Sequence, residues 1–173
     1  MKYIRKHKQI IEESWFSDIS IPNNPIANSL KGTELSVDIS ISDLSNSYKL
    51  NINNKYLSIL VTRIAGHVIE NYIVKKLGLS YTSSVLDGSR EENGQIVEYE
   101  IKAYKDSLSS FLKLFSQRQI DYICDENDSQ DKKVLIVRYS NKNNAPNKII
   151  IRDAFLISKE KFIEYCKNRE TSN

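Results

Sequence analysis

Four apolar residues in succession, Val134-Leu135-Ile136-Val137 within KKVLIVRYS, constrain this chain more than any other stretch. Side chains of a strand alternate between two faces, so an unbroken apolar run needs cover on both. A sheet with helices against each face provides it. The preceding residues agree. GQIVEYEIKAY, residues 94–104, sets Val97, Tyr99, Ile101 and Ala103 on one parity and Glu98, Glu100 and Lys102 on the other. Between the two strands, KDSLSSFLKLFSQRQIDYIC places Leu108, Phe111, Leu112, Phe115, Ile120 and Ile123 at mostly helical spacing. Strand, helix and strand in that order predict a crossover between parallel strands. The expected fold class is α/β, a central mixed sheet flanked by helices.

The strongest helical signal is NKYLSILVTRIAGHVIENYIVKKLG, from Asn54 to Gly78. Leu57, Leu60, Ile64, Ala65, Val68, Ile69, Tyr72, Ile73 and Leu77 form its apolar stripe, with Asn54 as expected N-cap and Gly78 as stop. Arg63, Gly66, His67 and Glu70 occupy the other face. A strand is expected over YTSSVL, residues 81–86, joined through Asp87-Gly88 and a loop SREENG to the strand at 95–104, as an antiparallel hairpin. After the turn NKNNAPN come a short strand KIIIRD, the segment AFLIS and a final helix KEKFIEYCKN capped by Ser158. An amphipathic helix is expected over residues 2–16. Pro22 and Pro25 then open a polar stretch that reads as loops and short pieces.

A chain of 173 residues is one domain by the usual prior. Residues 55–165 are expected to form its core, and residues 1–54 an N-terminal helix and loops. Twenty-five Lys and Arg against 22 Asp and Glu leave +3, a mild excess that permits a nucleic-acid partner without requiring one. Cys124 and Cys166 make neither a disulfide framework nor a metal knuckle, which points to a reducing compartment. With no apolar run long enough for a membrane span and no secretory signal, a cytoplasmic location is expected.

The chemistry concentrates around the alternating strand. Asp87 and Glu100, on adjacent strands, can converge on one hard divalent cation, because Mg²⁺ takes oxygen ligands in an octahedron completed by water and substrate phosphate. Lys102 emerges on the face of Glu100, where it can orient a water or neutralise developing charge. Other roles stay open. Asp87 before Gly88 is also a common turn former, which would leave Glu91 or Glu92 as first carboxylate. Glu98 is either a second ligand or a solvated neighbour, and the whole charged row could be the wet face of an edge strand. Gln117, Arg118 and Gln119 could touch phosphates, and His67 has no second histidine at ligand spacing.

TSSVLDG followed by EYEIKAY resembles the catalytic hairpin of the PD-(D/E)xK superfamily of metal-dependent nucleases, typified by type II restriction endonucleases. Its motif is an Asp, a variable gap, then Asp or Glu, any residue, and Lys. The resemblance implies a restriction-endonuclease-like core, with Asp87 and Glu100 as Mg²⁺ ligands, Lys102 as catalytic lysine and Glu70 at the edge of the metal site. Leu86 stands where the family often has proline. The run from Gly94 is also similar to small homodimeric restriction enzymes that cut CAGCTG, which carry GQEYELK, and the chain's size and later segments resemble small enzymes that cut GCNGC.

The resemblance further implies Mg²⁺-dependent hydrolysis of double-stranded DNA leaving 5′-phosphates, a homodimer matched to a palindromic site, and a cognate DNA methyltransferase as functional partner. The N-terminal region, 1–54, is the expected dimerisation surface. Lys105, Arg138, Lys142, Lys148 and Arg152 are the expected phosphate contacts. Arg138, Asn141, Asn143 and Asn144 are the expected readers of base edges. The rival expectations are a repair or structure-specific nuclease of the same fold, and a non-catalytic DNA-binding or interaction domain.

Overall fold

A computed structural model describes residue 16 and residues 18–37, 54–81, 85–106, 111–143 and 145–170, without the side chains of residues 54–58, 63, 111, 146, 169 and 170. The chain is mixed α/β. Its elements are α1 (Pro25–Leu30), β1 (Glu34–Ser36), α2 (Asn54–Leu77), β2 (Gly88–Glu92), β3 (Gln95–Lys105), α3 (Gln117–Ile123), β4 (Asp131–Lys142), β5 (Ala145–Ser158) and α4 (Lys159–Glu170). The five strands form one sheet in the order β1-β5-β4-β3-β2. The β3–β4 pair is parallel and the others are antiparallel.

The apolar run of β4 is covered on both faces, as its sequence demands. Leu135, Val137 and Tyr139 join Val97, Tyr99 and Ile101 of β3, Ile149 and Ile151 of β5 and the α2 stripe Val61, Ala65, Ile69 and Ile73. Val134 and Ile136 face the other way, against Phe115, Ile123, Ile157, Phe162 and Tyr165. Each fully buried Ile or Val in these layers contributes roughly 1.5–3 kcal/mol relative to exposure.

The long helix ends where glycine predicts. Gly78 has φ +63°, its N–H donates to the Lys75 carbonyl at 3.2 Å, and Leu79 N–H donates to Val74 at 2.9 Å, a Schellman closure. Asn54 is itself the first helical residue. The helix in the crossover between β3 and β4 is shorter than expected: a 3₁₀ turn at Phe111–Leu114 precedes a seven-residue α3.

Four local expectations are corrected. SREENG is not a loop: Gly88–Glu92 forms β2, and Asn93 and Gly94, with φ 52° and 81°, make the two-residue turn into β3. Residues 85–87 are bent rather than extended, and residues 82–84 of the strand expected at 81–86 lie outside the described residues. Pro25 opens α1 behind an Asn24 cap instead of interrupting structure, and β1 adds an edge strand to β5. KIIIRD and AFLIS are one continuous strand, β5, and the expected turn after β4 is largely absorbed into β4 and β5. The expected helix at 2–16 lies outside the described residues except for Phe16. Phe16, Ile19, Leu30 and Val37 are buried in the two cores, so the described part of the N-terminal region packs on the sheet.

Candidate active site

Asp87 is held by the strand it must face. Its N–H donates to the Tyr99 carbonyl at 3.0 Å, and its Oδ2 accepts the Ile101 N–H at 2.7 Å. Those two contacts flank Glu100. The clamp depends on Gly88. Ser80 and Ser89 exchange backbone hydrogen bonds of 2.8 and 3.0 Å, bringing Leu79 and Ser80 so close that a Cβ on Gly88 would sit 3.0 Å from both the Leu79 Cβ and the Ser80 carbonyl oxygen. Glycine here permits a close approach, not a turn.

Glu100 is fully buried, with 0 % of its surface exposed. Its Oε1 pairs with the Lys102 ammonium and accepts the Gln119 amide at 2.5 Å. Its Oε2 is buried with no hydrogen-bond partner among the described residues. Burial, then the charge of Asp87, pushes the Glu100 carboxyl up to about 7, with Glu70 adding to the rise and Lys102 opposing it. Glu70 is raised too, by burial and then Asp87, while Lys102 and His67 oppose. Its carboxylate pairs with His67 at 3.3 Å. Asp87, Glu100, Lys102 and Glu70 thus share one electrostatic neighbourhood. Like charges gathered in a buried place persist when something positive compensates them.

The donor set suits a hard cation. Asp87 and Glu100 each commit one oxygen to the protein, and the second oxygen of Glu100 is buried and unsatisfied, an arrangement that an ion would complete. Among the described residues no three or more His, Cys, Asp or Glu converge closely enough to hold an ion by themselves. Two carboxylates would leave further positions to water and substrate oxygen.

The charged face of β3 is not wet, and β3 is not an edge. It lies between β2 and β4, and Glu98 is only 4 % exposed. Glu98 is therefore no solvated neighbour: its Oε2 accepts the Tyr122 hydroxyl at 2.8 Å, and burial and that bond push Tyr122 up to about 12. Lys132, fully buried, donates to the Tyr122 carbonyl at 2.7 Å and to Asp128 at 2.5 Å with its ammonium 4.0 Å from the Tyr122 ring centre. Glu92 belongs elsewhere. It binds Tyr99, Arg90 and Lys133, and these hydrogen bonds outweigh its burial and hold it down to about 2. Glu91 is exposed.

Gln119 is a residue whose place here the sequence left open. It faces Glu100 rather than offering a free phosphate contact, while Gln117 and Arg118 are exposed. Gln119 is the third residue of α3, and its Oε1 accepts the Ser116 N–H at 3.0 Å in a capping box. Only an oxygen can accept that proton, so the amide NH₂ is turned to Glu100. Ser-x-x-Gln, readable as a capping signature, was the signal.

The expected DNA contacts divide between two places. Lys105, Arg138, Asn141, Asn143 and Arg152 line a common cleft. Within it Lys105 donates to Thr62 at 3.1 Å, Arg138 pairs with Asp153 and Arg152 donates to Ser140 at 2.7 Å. Lys142 instead pairs with Glu34 at 2.7 Å, and Lys148 adds to the positive field that lowers Glu34. Asn144 lies outside the described residues. Cys124 and Cys166 form no disulfide, and no helix among the described residues is long and apolar enough to cross a membrane. Neither a protein-family model nor a curated protein matches the chain.

Proposed function

We propose that this protein is a type II restriction endonuclease, hydrolysing phosphodiester bonds of double-stranded DNA at a specific sequence with Mg²⁺ and leaving 5′-phosphates. One juxtaposition carries the reading: Asp87 is clamped by the Ile101 N–H beside Glu100, whose second carboxylate oxygen is buried with no hydrogen-bond partner among the described residues while its first pairs with an ammonium. The succession of α2, the β2–β3 hairpin and the parallel crossover to β4 is consistent with the nuclease core that the resemblance implies.

Asp87 and Glu100 would hold the ion, which when bound polarises a phosphoryl oxygen and lowers the pKa of a water. Hydrolysis to a 5′-phosphate joins a water oxygen to phosphorus, breaks the bond to the 3′-oxygen, removes a proton from the attacking water and delivers one to the departing oxygen. Lys102, tethered to Glu100, can orient that water and offset charge that develops on the phosphoryl oxygens. Gln119 fixes the Glu100 carboxylate, and Glu70 adds negative charge that favours a cation. One centre cuts one strand, so a homodimer with a palindromic site serves to cut both, and a cognate methyltransferase protects the host.

Purified protein with Mg²⁺ should convert plasmid into discrete bands, and Glu100→Ala and Lys102→Ala should abolish cleavage while retaining DNA binding. A smear would favour a repair or structure-specific nuclease. Intact plasmid together with no divalent-ion binding by calorimetry would remove the enzymatic reading.

A further inference from the structure

Three side chains of one short segment meet the charged row of β3 in turn. Tyr122 donates its hydroxyl to Glu98 at 2.8 Å, and Gln119 donates its amide to Glu100 at 2.5 Å. The third, Phe115, sets its ring against the Lys102 ammonium, with the nitrogen 6.0 Å from the ring centre. Gln119 and Tyr122 belong to α3, and Phe115 is the residue before its Ser116 cap. The first two contacts are hydrogen bonds, while the third brings a cation to a π system.

The ring is held from two sides. The Phe115 N–H donates to the Leu112 carbonyl at 3.1 Å, and the ring packs edge-to-face on Phe162, which is fully buried, with centres 5.2 Å apart and planes at 67°. The face of an aromatic ring carries negative potential and attracts an ammonium within about 6 Å, the more strongly where water is excluded. Only 17 % of the Lys102 side chain is exposed.

A lysine ammonium on its long flexible stem needs more than one anchor to stay in one place. Its ionic anchor here is Glu100, the carboxylate that also suits a cation. An ion that takes up the Glu100 charge weakens the hold of that carboxylate on Lys102, because the attraction scales with the charge left over. The Phe115 ring has no charge to lose. We propose that Phe115 is a positioning residue whose ring face keeps the Lys102 ammonium in its catalytic place, an inference that rests on the nuclease reading.

The test replaces Phe115 by phenylalanines carrying one, two and three ring fluorines, which keep the shape of the side chain while draining the negative potential of its face. In ion-free protein the melting temperature falls with each fluorine, and falls less in a Lys102→Met background, where packing on Phe162 is retained and the cation is gone. Equal falls in the two backgrounds overturn the contact. With Mg²⁺ and a duplex carrying the cut site mapped from plasmid fragments, the single-turnover rate drops stepwise, by up to about thirtyfold at three fluorines, while duplex affinity measured in Ca²⁺ holds. Should the rate ignore fluorination while the wild type cuts DNA, the positioning role falls and the nuclease stands. Should the wild type cut no DNA, the nuclease reading falls and takes this role with it.

Discussion

Asp87 Oδ2 accepts the main-chain N–H of Ile101 at 2.7 Å, so the first carboxylate of the site is fixed to the backbone immediately beyond the second. The position of Asp87 is a property of β3 as much as of its own segment. Asn accepts the same bond through its carbonyl oxygen but carries no charge. Asp87→Asn should therefore melt close to the wild type and lose cleavage by a factor on the order of 10²–10⁴, the range for removing a positioned catalytic group. Plasmid cleavage with Mg²⁺, Mn²⁺ calorimetry and thermal melting check it. Wild-type Mn²⁺ affinity in the variant would remove Asp87 from the site.

Glu100 sets a pH dependence. Its carboxyl is raised to about 7 in the fold by burial and then by Asp87, while an unfolded glutamate titrates at about 4.3. Between those values the folded state keeps a proton that the unfolded state has lost. The associated stability is complete below about 4.3 and declines as pH rises through about 7. A cation must displace that proton, so Mn²⁺ affinity should climb up to tenfold per pH unit below about 7 and level above it. Calorimetry in buffers of different ionisation heat should count about one proton released at pH 6. An affinity independent of pH would contradict the burial of this carboxylate.

Gln119 joins the start of α3 to Glu100, and two variants separate those tasks. Ser116→Ala removes the cap, costing about 1 kcal/mol, and should leave ion binding near the wild-type value. Gln119→Met removes the donor to Glu100 and should weaken Mn²⁺ binding about tenfold, the scale of an orienting partner behind a ligand. Equal losses in both variants would mean that Gln119 serves only the helix.

Gly88→Ala should destabilise the protein by about 1–3 kcal/mol, since the new methyl would sit 3.0 Å from the Ser80 carbonyl oxygen and the Leu79 Cβ, which must shift to admit it. Cleavage should fall further than the loss of folded protein explains, because Asp87 is the preceding residue. Urea denaturation and specific activity per folded molecule decide it. A variant of unchanged stability would show that the Leu79–Ser80 segment yields.

The crossover was legible because its signals are local. The VLIV run, the alternation of β3 and the apolar spacing of the connecting segment each speak for their own element, and Gly78 marked the end of α2. The Asn93-Gly94 turn was also written in the chain. It was missed because the polar run SREENG carries no apolar alternation, although Ser89 is buried and Arg90 and Glu92 both bond the Tyr99 hydroxyl across the hairpin. α1 and β1 stayed hidden because β1 has only three residues and owes its strand geometry to β5, a partner more than a hundred residues away.

Residue types, spacing and parity alone put Glu100 and Lys102 on one side of a strand, Asp87 near its partner and an apolar strand beside them. Whether the acidic row met water or protein, which carboxylate stood beside Glu100 and which way the Gln119 amide pointed depended on α3 closing over β3 and on the Leu79–Ser80 segment pressing against Gly88. Parity is a property of successive backbone atoms and can be read from order. Burial, and with it the upward shift of Glu100, comes from groups brought close in space by the fold.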